Sequence, residues 1–131
     1  MRRLGALALL ALVACGGGEP GLGLSIDATS RGLFPNMTTA RISLYPGDTS
    51  CLGIELSSAA TLGLHNQTMS VNAADDAATG VLFDLRAGTY ALAVWGFDAG
   101  GVPIAFGCLE GVEIVNGEQT EETIVLGSHT P

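Results

Sequence analysis

Hydrophobic and polar positions alternate with a period of two through most of the chain beyond residue 21. Leu22, Leu24, Ile26 and Ala28 alternate with Gly23, Ser25 and Asp27, which puts one face of a strand on a core and the other in water. The same period recurs in Ala40, Ile42 and Leu44, and again in Val81, Phe83 and Leu85. Thr89 to Phe97 is apolar or small on both faces and reads as a central strand covered on both sides. A turn at Asp98-Ala99-Gly100-Gly101 leads to a further alternation of Val102, Ile104, Phe106 and Cys108, with Pro103 where a strand start tolerates a missing N–H. Glu110-Gly111 breaks the pattern, and Val112 to Val115 runs into Asn116-Gly117, the signature of a type I′ hairpin. Thr120 to Leu126 is the last strand.

Three stretches carry a weaker pattern. Cys51 to Ala60 fits either a strand or a short helical turn, because Leu52, Ile54 and Leu56 alternate while Ser57 to Ala60 does not. Gln67 to Asn72 reads as a strand and Ala73 to Thr79 as a loop. Seven or eight short strands separated by glycine-rich turns predict an all-β domain of the sandwich type.

The first 21 residues follow other rules. Met1-Arg2-Arg3 is a short cationic start and Leu4 to Val13 an apolar run of about ten residues, half the roughly 20 that a spanning helix needs. Residues 1–14 therefore read as a signal peptide, with its helix. Gly16 to Gly21 holds four glycines and a proline and reads as a tether. The expected organisation is a signal peptide over 1–14, a tether over 15–21, a β domain over 22–127 and a tail over 128–131.

Leu12-Val13-Ala14-Cys15 resembles the lipobox of bacterial lipoproteins at all four positions. The resemblance implies cleavage before Cys15, acylation of its thiol (palmitate being the usual label) and attachment to the membrane through that lipid. With Gly16 rather than aspartate after the cysteine, it also implies sorting to the outer membrane in a Gram-negative host, facing the periplasm or the surface. Two or more acyl chains anchor a protein stably where one does so marginally. Lipidation of Cys15 leaves Cys51 and Cys108, and an even pair in an exported chain points to a disulfide.

Composition narrows the partners. Hydrophobic residues form 47% of the 131-residue chain and charged residues 14%, too apolar a mixture for disorder. Lysine is absent, and beyond the signal Arg31, Arg41 and Arg86 face 13 acidic residues, a net charge of −10. Such a surface disfavours nucleic acid and anionic headgroups.

Phe83-Asp84-Leu85-Arg86-Ala87-Gly88-Thr89-Tyr90, followed by an apolar strand and Asp98-Ala99-Gly100-Gly101, is similar to the Leu-x-x-Gly-x-Tyr core of transthyretin-like domains, including carboxypeptidase regulatory-like and collagen-binding B-type repeats. That resemblance implies an immunoglobulin-like sandwich of about seven strands, with Tyr90 at a strand corner and its hydroxyl bonded to nearby backbone. It implies a spacer or binding module rather than a catalyst. Without lysine, the isopeptide crosslink of the adhesin-type repeats cannot form.

Few residues suggest chemistry. His65 and His129 stand without a Gly-x-Ser-x-Gly elbow, and neither has the spacing of a Cys/His metal site. Asp75-Asp76 and Asp98 are loop acids outside any Asp-x-Asp-x-Asp-Gly frame. Trp95 could present a flat face to a sugar or peptide, although an aromatic inside an apolar strand is usually core. Asn36-Met37-Thr38 and Asn66-Gln67-Thr68 spell glycosylation sequons, which are incidental in a bacterium. The expectation is a lipid-anchored envelope module without enzymatic activity or cofactor, serving a structural role or an envelope protein or glycan partner. A carbohydrate- or peptide-binding module is the first alternative and a hydrolase the second.

Overall fold

The computed structural model describes residues 21–28, 33–57, 59, 61–71, 77–82 and 85–129. The signal peptide, Cys15, most of the tether and Asp75-Asp76 lie outside these residues. Among the described residues seven strands and two short helices follow in chain order. These are β1 (Gly21–Ala28), α1 (Leu33–Asn36), β2 (Thr39–Pro46), α2 (Cys51–Ser57), β3 (His65–Ser70), β4 (Ala77–Leu82), β5 (Gly88–Phe97), β6 (Pro103–Ile114) and β7 (Gln119–Ser128). No helix among the described residues is long and apolar enough to cross a membrane.

The strands hydrogen-bond in the order β3-β2-β5-β6-β7-β1-β4, one seven-stranded sheet that curls almost into a barrel. Its two ends approach each other, since the Cα of Gly80 on β4 faces the side chains of Ile42 on β2 and Met69 on β3. All neighbours are antiparallel except β1 and β7, which run parallel from Gly21↔Gln119 to Ala28↔Leu126. The alternating residues picked out above line the inner core, where Leu22, Ile26, Ile42, Leu44, Leu92, Val94, Ile124 and Leu126 are buried. β1 begins at Gly21, and the last strand reaches Ser128, with the His129 N–H donating to Ile104 O at 2.9 Å.

Four local expectations change, and one open alternative is decided. Cys51–Ser57 takes the helical alternative: Ser50 Oγ accepts the Gly53 N–H at 3.0 Å, as an N-cap serine does, and Glu110 Oε2 accepts the Cys51 N–H at 2.8 Å. The strand expected over 81–85 starts earlier, because β4 pairs along β1 from Leu22↔Leu82 to Asp27↔Ala77, so Ala77, Ala78 and Thr79 are strand rather than loop. Their small side chains hide this from a pattern search. The strand expected over 67–72 is shifted two residues, to His65–Ser70.

The break expected at Glu110-Gly111 is instead a bulge inside one long strand. Tyr90 pairs with Val112 and Leu92 with Leu109, so β6 carries one extra residue there, and Gly111 has a φ of +72°. An extra residue reverses which parity faces inward. Val112 and Ile114 join the inner core below the bulge, while Phe106 and Cys108 point to the outer face above it. The Asn116-Gly117 turn forms, with Glu118 N–H donating to Val115 O at 3.2 Å, but no tight hairpin follows it. β7 stays beside β6, with Thr120 Oγ1 donating to Glu113 O at 3.0 Å, but the two pair in register at Ala105↔Ser128 and Phe106↔Gly127, while the other edge of β7 pairs along the whole of β1.

Candidate functional site

The outer face of β2, β5 and β6 is not left to solvent. β5 is buried on both sides, and its outward Ala91, Ala93 and Trp95 sit under a second apolar layer. Tyr45, Ala91, Ala93 and Ile54 form this layer, with Phe106 and Cys108 packed against it. Small alanines on the strand leave room for α2, which lies across β5 and β6 with Ile54 pointing down. Cys51 at the start of α2 is disulfide-bonded to Cys108 on β6, with Cα atoms 5.7 Å apart, so the expected pairing is present.

Beyond α2 the chain crosses to β2. Thr61 O accepts bonds from Tyr45 Oη at 2.9 Å and Arg41 Nη2 at 3.5 Å, and Leu64 N–H donates to Leu44 O at 2.7 Å. Asn66 fastens the same segment. Its Oδ1 accepts from the Gly63 N–H and from the Oγ of fully buried Ser43, and its Nδ2 donates to Gly63 O. Asn66, a sequon by spelling, is thus a structural bracket. Tyr45 joins the two pieces, its ring packed with Ile54 and its hydroxyl on Thr61.

This outer layer presents four leucines. Leu52 is 66% exposed, Leu56 75%, Leu62 61% and Leu64 61%. Leu52 and Leu56 are four apart on α2 and share its outward face, opposite Ile54. Leu62 and Leu64 stand on the segment that Tyr45 and Arg41 hold through Thr61 O, and exposed apolar side chains of this kind, here the leucine patch, commonly mark a contact site. The strand alternative for Cys51 to Ala60 would put Leu52, Ile54 and Leu56 on one face. The helix separates Ile54 from the two leucines and exposes the patch.

Gly63 sets the position of this segment. A Cβ there would press on the backbone carbonyl of Leu44, which already accepts the Leu64 N–H. Gly63→Ala is therefore expected to lift the 61–64 segment off β2 and to destabilise the domain by about 1–3 kcal/mol. Urea unfolding checks this, and an unchanged midpoint would show that the segment is not seated as described.

The other candidates resolve differently. Trp95 is 0% exposed, enclosed by the Phe106 ring at 4.5 Å and the His129 ring edge-on at 4.9 Å, and offers no face to a ligand. His129 Nδ1 also lies 3.3 Å from Glu55 Oε2, tying the C-terminal end of the chain to α2. Asp98 Oδ1 accepts the N–H groups of Gly100 and Val102, both at 2.9 Å, and so serves its turn, beside a shallow depression lined by Pro35, Asn36 and Thr38. His65 sits at the start of β3 with its ring 6.2 Å from Tyr90, whereas His129 packs on Trp95. The described residues gather no group of three or more His, Cys, Asp or Glu that could hold a metal. Tyr90 Oη donates to Arg86 O, the corner bond that the transthyretin-like resemblance implies.

No protein-family model and no curated protein sequence matches the chain. Its fold is similar to solved structures. An alternative pilotin from the type II secretion system of Vibrio cholerae superposes with a TM-score of 0.59 at 10% identity, over 86% of this chain and 99% of that one. Two proteins of Bacteroides thetaiotaomicron are more distantly alike. One is a DUF4876 family protein (TM-score 0.44, 13% identity, 83% of this chain and 23% of that one) and the other a leucine-rich repeat protein (TM-score 0.46, 16% identity, 82% and 12%).

Proposed function

We propose that this chain is a lipid-anchored module of the cell envelope that holds a protein partner, with no reaction of its own. The observation that carries the reading is the leucine patch of the outer layer, four exposed apolar side chains on a helix and segment that a disulfide, an asparagine bracket and a tyrosine fix in place. A fixed apolar surface is preorganised for binding, since little entropy remains to be lost there. The disulfide fits an oxidising, extracytoplasmic compartment. The fold shared with a secretion-system pilotin supports an envelope role, and the Tyr90 corner supports an immunoglobulin-type, transthyretin-like sandwich as its type.

Anchoring enters through Cys15, whose lipobox assigns it a diacylglycerol and whose neighbour Gly16 favours the outer membrane. The six residues from Cys15 to Pro20 reach at most about 20 Å, which keeps the domain beside the bilayer. Labelled palmitate is expected to enter the wild-type protein and not Cys15→Ser, and that variant to move from the membrane pellet to the soluble fraction. Equal labelling of both forms would overturn the anchoring.

A further inference from the structure

From the placing of the four exposed leucines and the charge around them, we infer that their occupant is a short cationic amphipathic segment of a partner protein, with apolar side chains on Leu52, Leu56, Leu62 and Leu64 and Lys or Arg beside them. This deepens the interaction reading above and rests on it. One helix or strand laid on a surface uses a few apolar anchors at close spacing, which Leu52 and Leu56 on α2 and Leu62 and Leu64 on the segment beyond it offer.

The rim supplies the sign of the charge. Glu55 lies on α2 itself, with its side chain 42% exposed. Glu110 is exposed at the N-terminal end of the helix, where one carboxylate oxygen holds the Cys51 N–H, and Asp48 is exposed on the approach to α2. Against these three carboxylates stands Arg41, whose guanidinium bonds Thr61 O and Ser43 Oγ and lies over the Phe97 ring, so the sum of charge there stays negative. An acidic rim around an apolar centre pairs with a partner whose apolar residues are flanked by basic ones.

The same charges disfavour the other occupants. A second copy would bring two acidic rims together on chains of net charge −8 before processing. Helices that lie in a membrane interface carry Lys and Arg on their polar face. α2 carries Glu55 and no basic residue.

Photocross-linking in intact cells tests this on the full-length, lipidated protein. p-Benzoylphenylalanine is placed at position 52 or 56, and at exposed Val125 on β7 as a control, and adducts are mapped to the residue by mass spectrometry. The expected result is an adduct from 52 and 56, and none from 125, on one partner segment in which apolar residues alternate with Lys or Arg. Glu55→Gln combined with Glu110→Gln, which keeps an acceptor for the Cys51 N–H, is expected to lower the adduct yield at least fivefold with the melting temperature preserved. Adducts with lipid alone, with a second copy, or with a segment lacking basic residues overturn the inference, as does a yield unaffected by the two glutamines. A protein partner cross-linked only from other surfaces would remove this site and leave the interaction-module reading standing.

Discussion

Loss of the Cys51–Cys108 bond is expected to lower the melting temperature by roughly 15–20 °C. The two cysteines are 57 residues apart, and closing a loop of that length restricts the unfolded chain by about 4 kcal/mol in the entropy model. For a domain of about 110 residues each kcal/mol moves the midpoint by roughly 4 °C or more. The native state should lose as well as the unfolded state gain. α2 has only seven residues, far below the length at which a helix persists alone. Besides the Glu110 bond, Ile54 and the Glu55–His129 contact are what hold it to the sheet. The double variant Cys51→Ser/Cys108→Ser, which leaves no stray thiol between them, is compared with the wild type by calorimetry under oxidising conditions. Its emission should also shift to the red, because Trp95, the only tryptophan, packs on Phe106 and on His129, which lies against Glu55 of α2. An unchanged midpoint would mean that the outer layer, and the leucine patch with it, does not depend on the bond.

How much of this was legible in the sequence follows from which physical signal each feature carries. The inner faces of β1, β2, β5 and β7 repeat large apolar residues every second position, and a strand buried on one side cannot do otherwise. β5 declared itself a central strand by being apolar on both faces, although nothing in it says that its outward alanines make room for a helix. β4 was half hidden because Ala77, Ala78, Thr79 and Gly80 are small where the curled sheet brings Ile42 and Met69 close. Glu110-Gly111 looked like a chain break because a glycine with positive φ serves turns and bulges alike. What separates the two is pairing across to β5, a long-range property. The sparse ladder between β6 and β7 after Asn116-Gly117 is of the same kind. The disulfide was legible from cysteine number and compartment, whereas the patch was not. Its four leucines sit on α2 and on a segment pinned by Tyr45, Asn66 and Arg41, contacts between residues far apart in the chain.

Truncation of Trp95 is the second large effect expected, and the pattern across two substitutions carries the information. Trp95→Ala removes the largest fully buried side chain, and a buried tryptophan or phenylalanine cut to alanine costs about 3–5 kcal/mol. Trp95→Phe should cost far less than the lost ring area suggests. Among the described residues no group accepts a hydrogen bond from the buried indole Nε1, and a buried donor without a partner carries a penalty of about 1–3 kcal/mol that phenylalanine does not. A phenylalanine ring can keep the contact with Phe106 and the edge-on contact with His129 while giving up that donor. The net loss for Trp95→Phe should therefore stay below about 1.5 kcal/mol, in the range of a tolerated volume change. Urea unfolding followed by circular dichroism measures both variants without relying on tryptophan emission. Equal losses in the two would show that the indole N–H is satisfied in solution, by a water held in the outer layer. A small loss in both would show that the layer beneath α2 is looser than its packing indicates. The expected ordering, a large loss for alanine and a small one for phenylalanine, makes Trp95 a filler of the space between the sheet and the residues that cover it. On that footing the support of the binding surface runs from the strand outward, through Trp95 and His129 to Glu55, and through Cys108 to Cys51 at the other end of the helix.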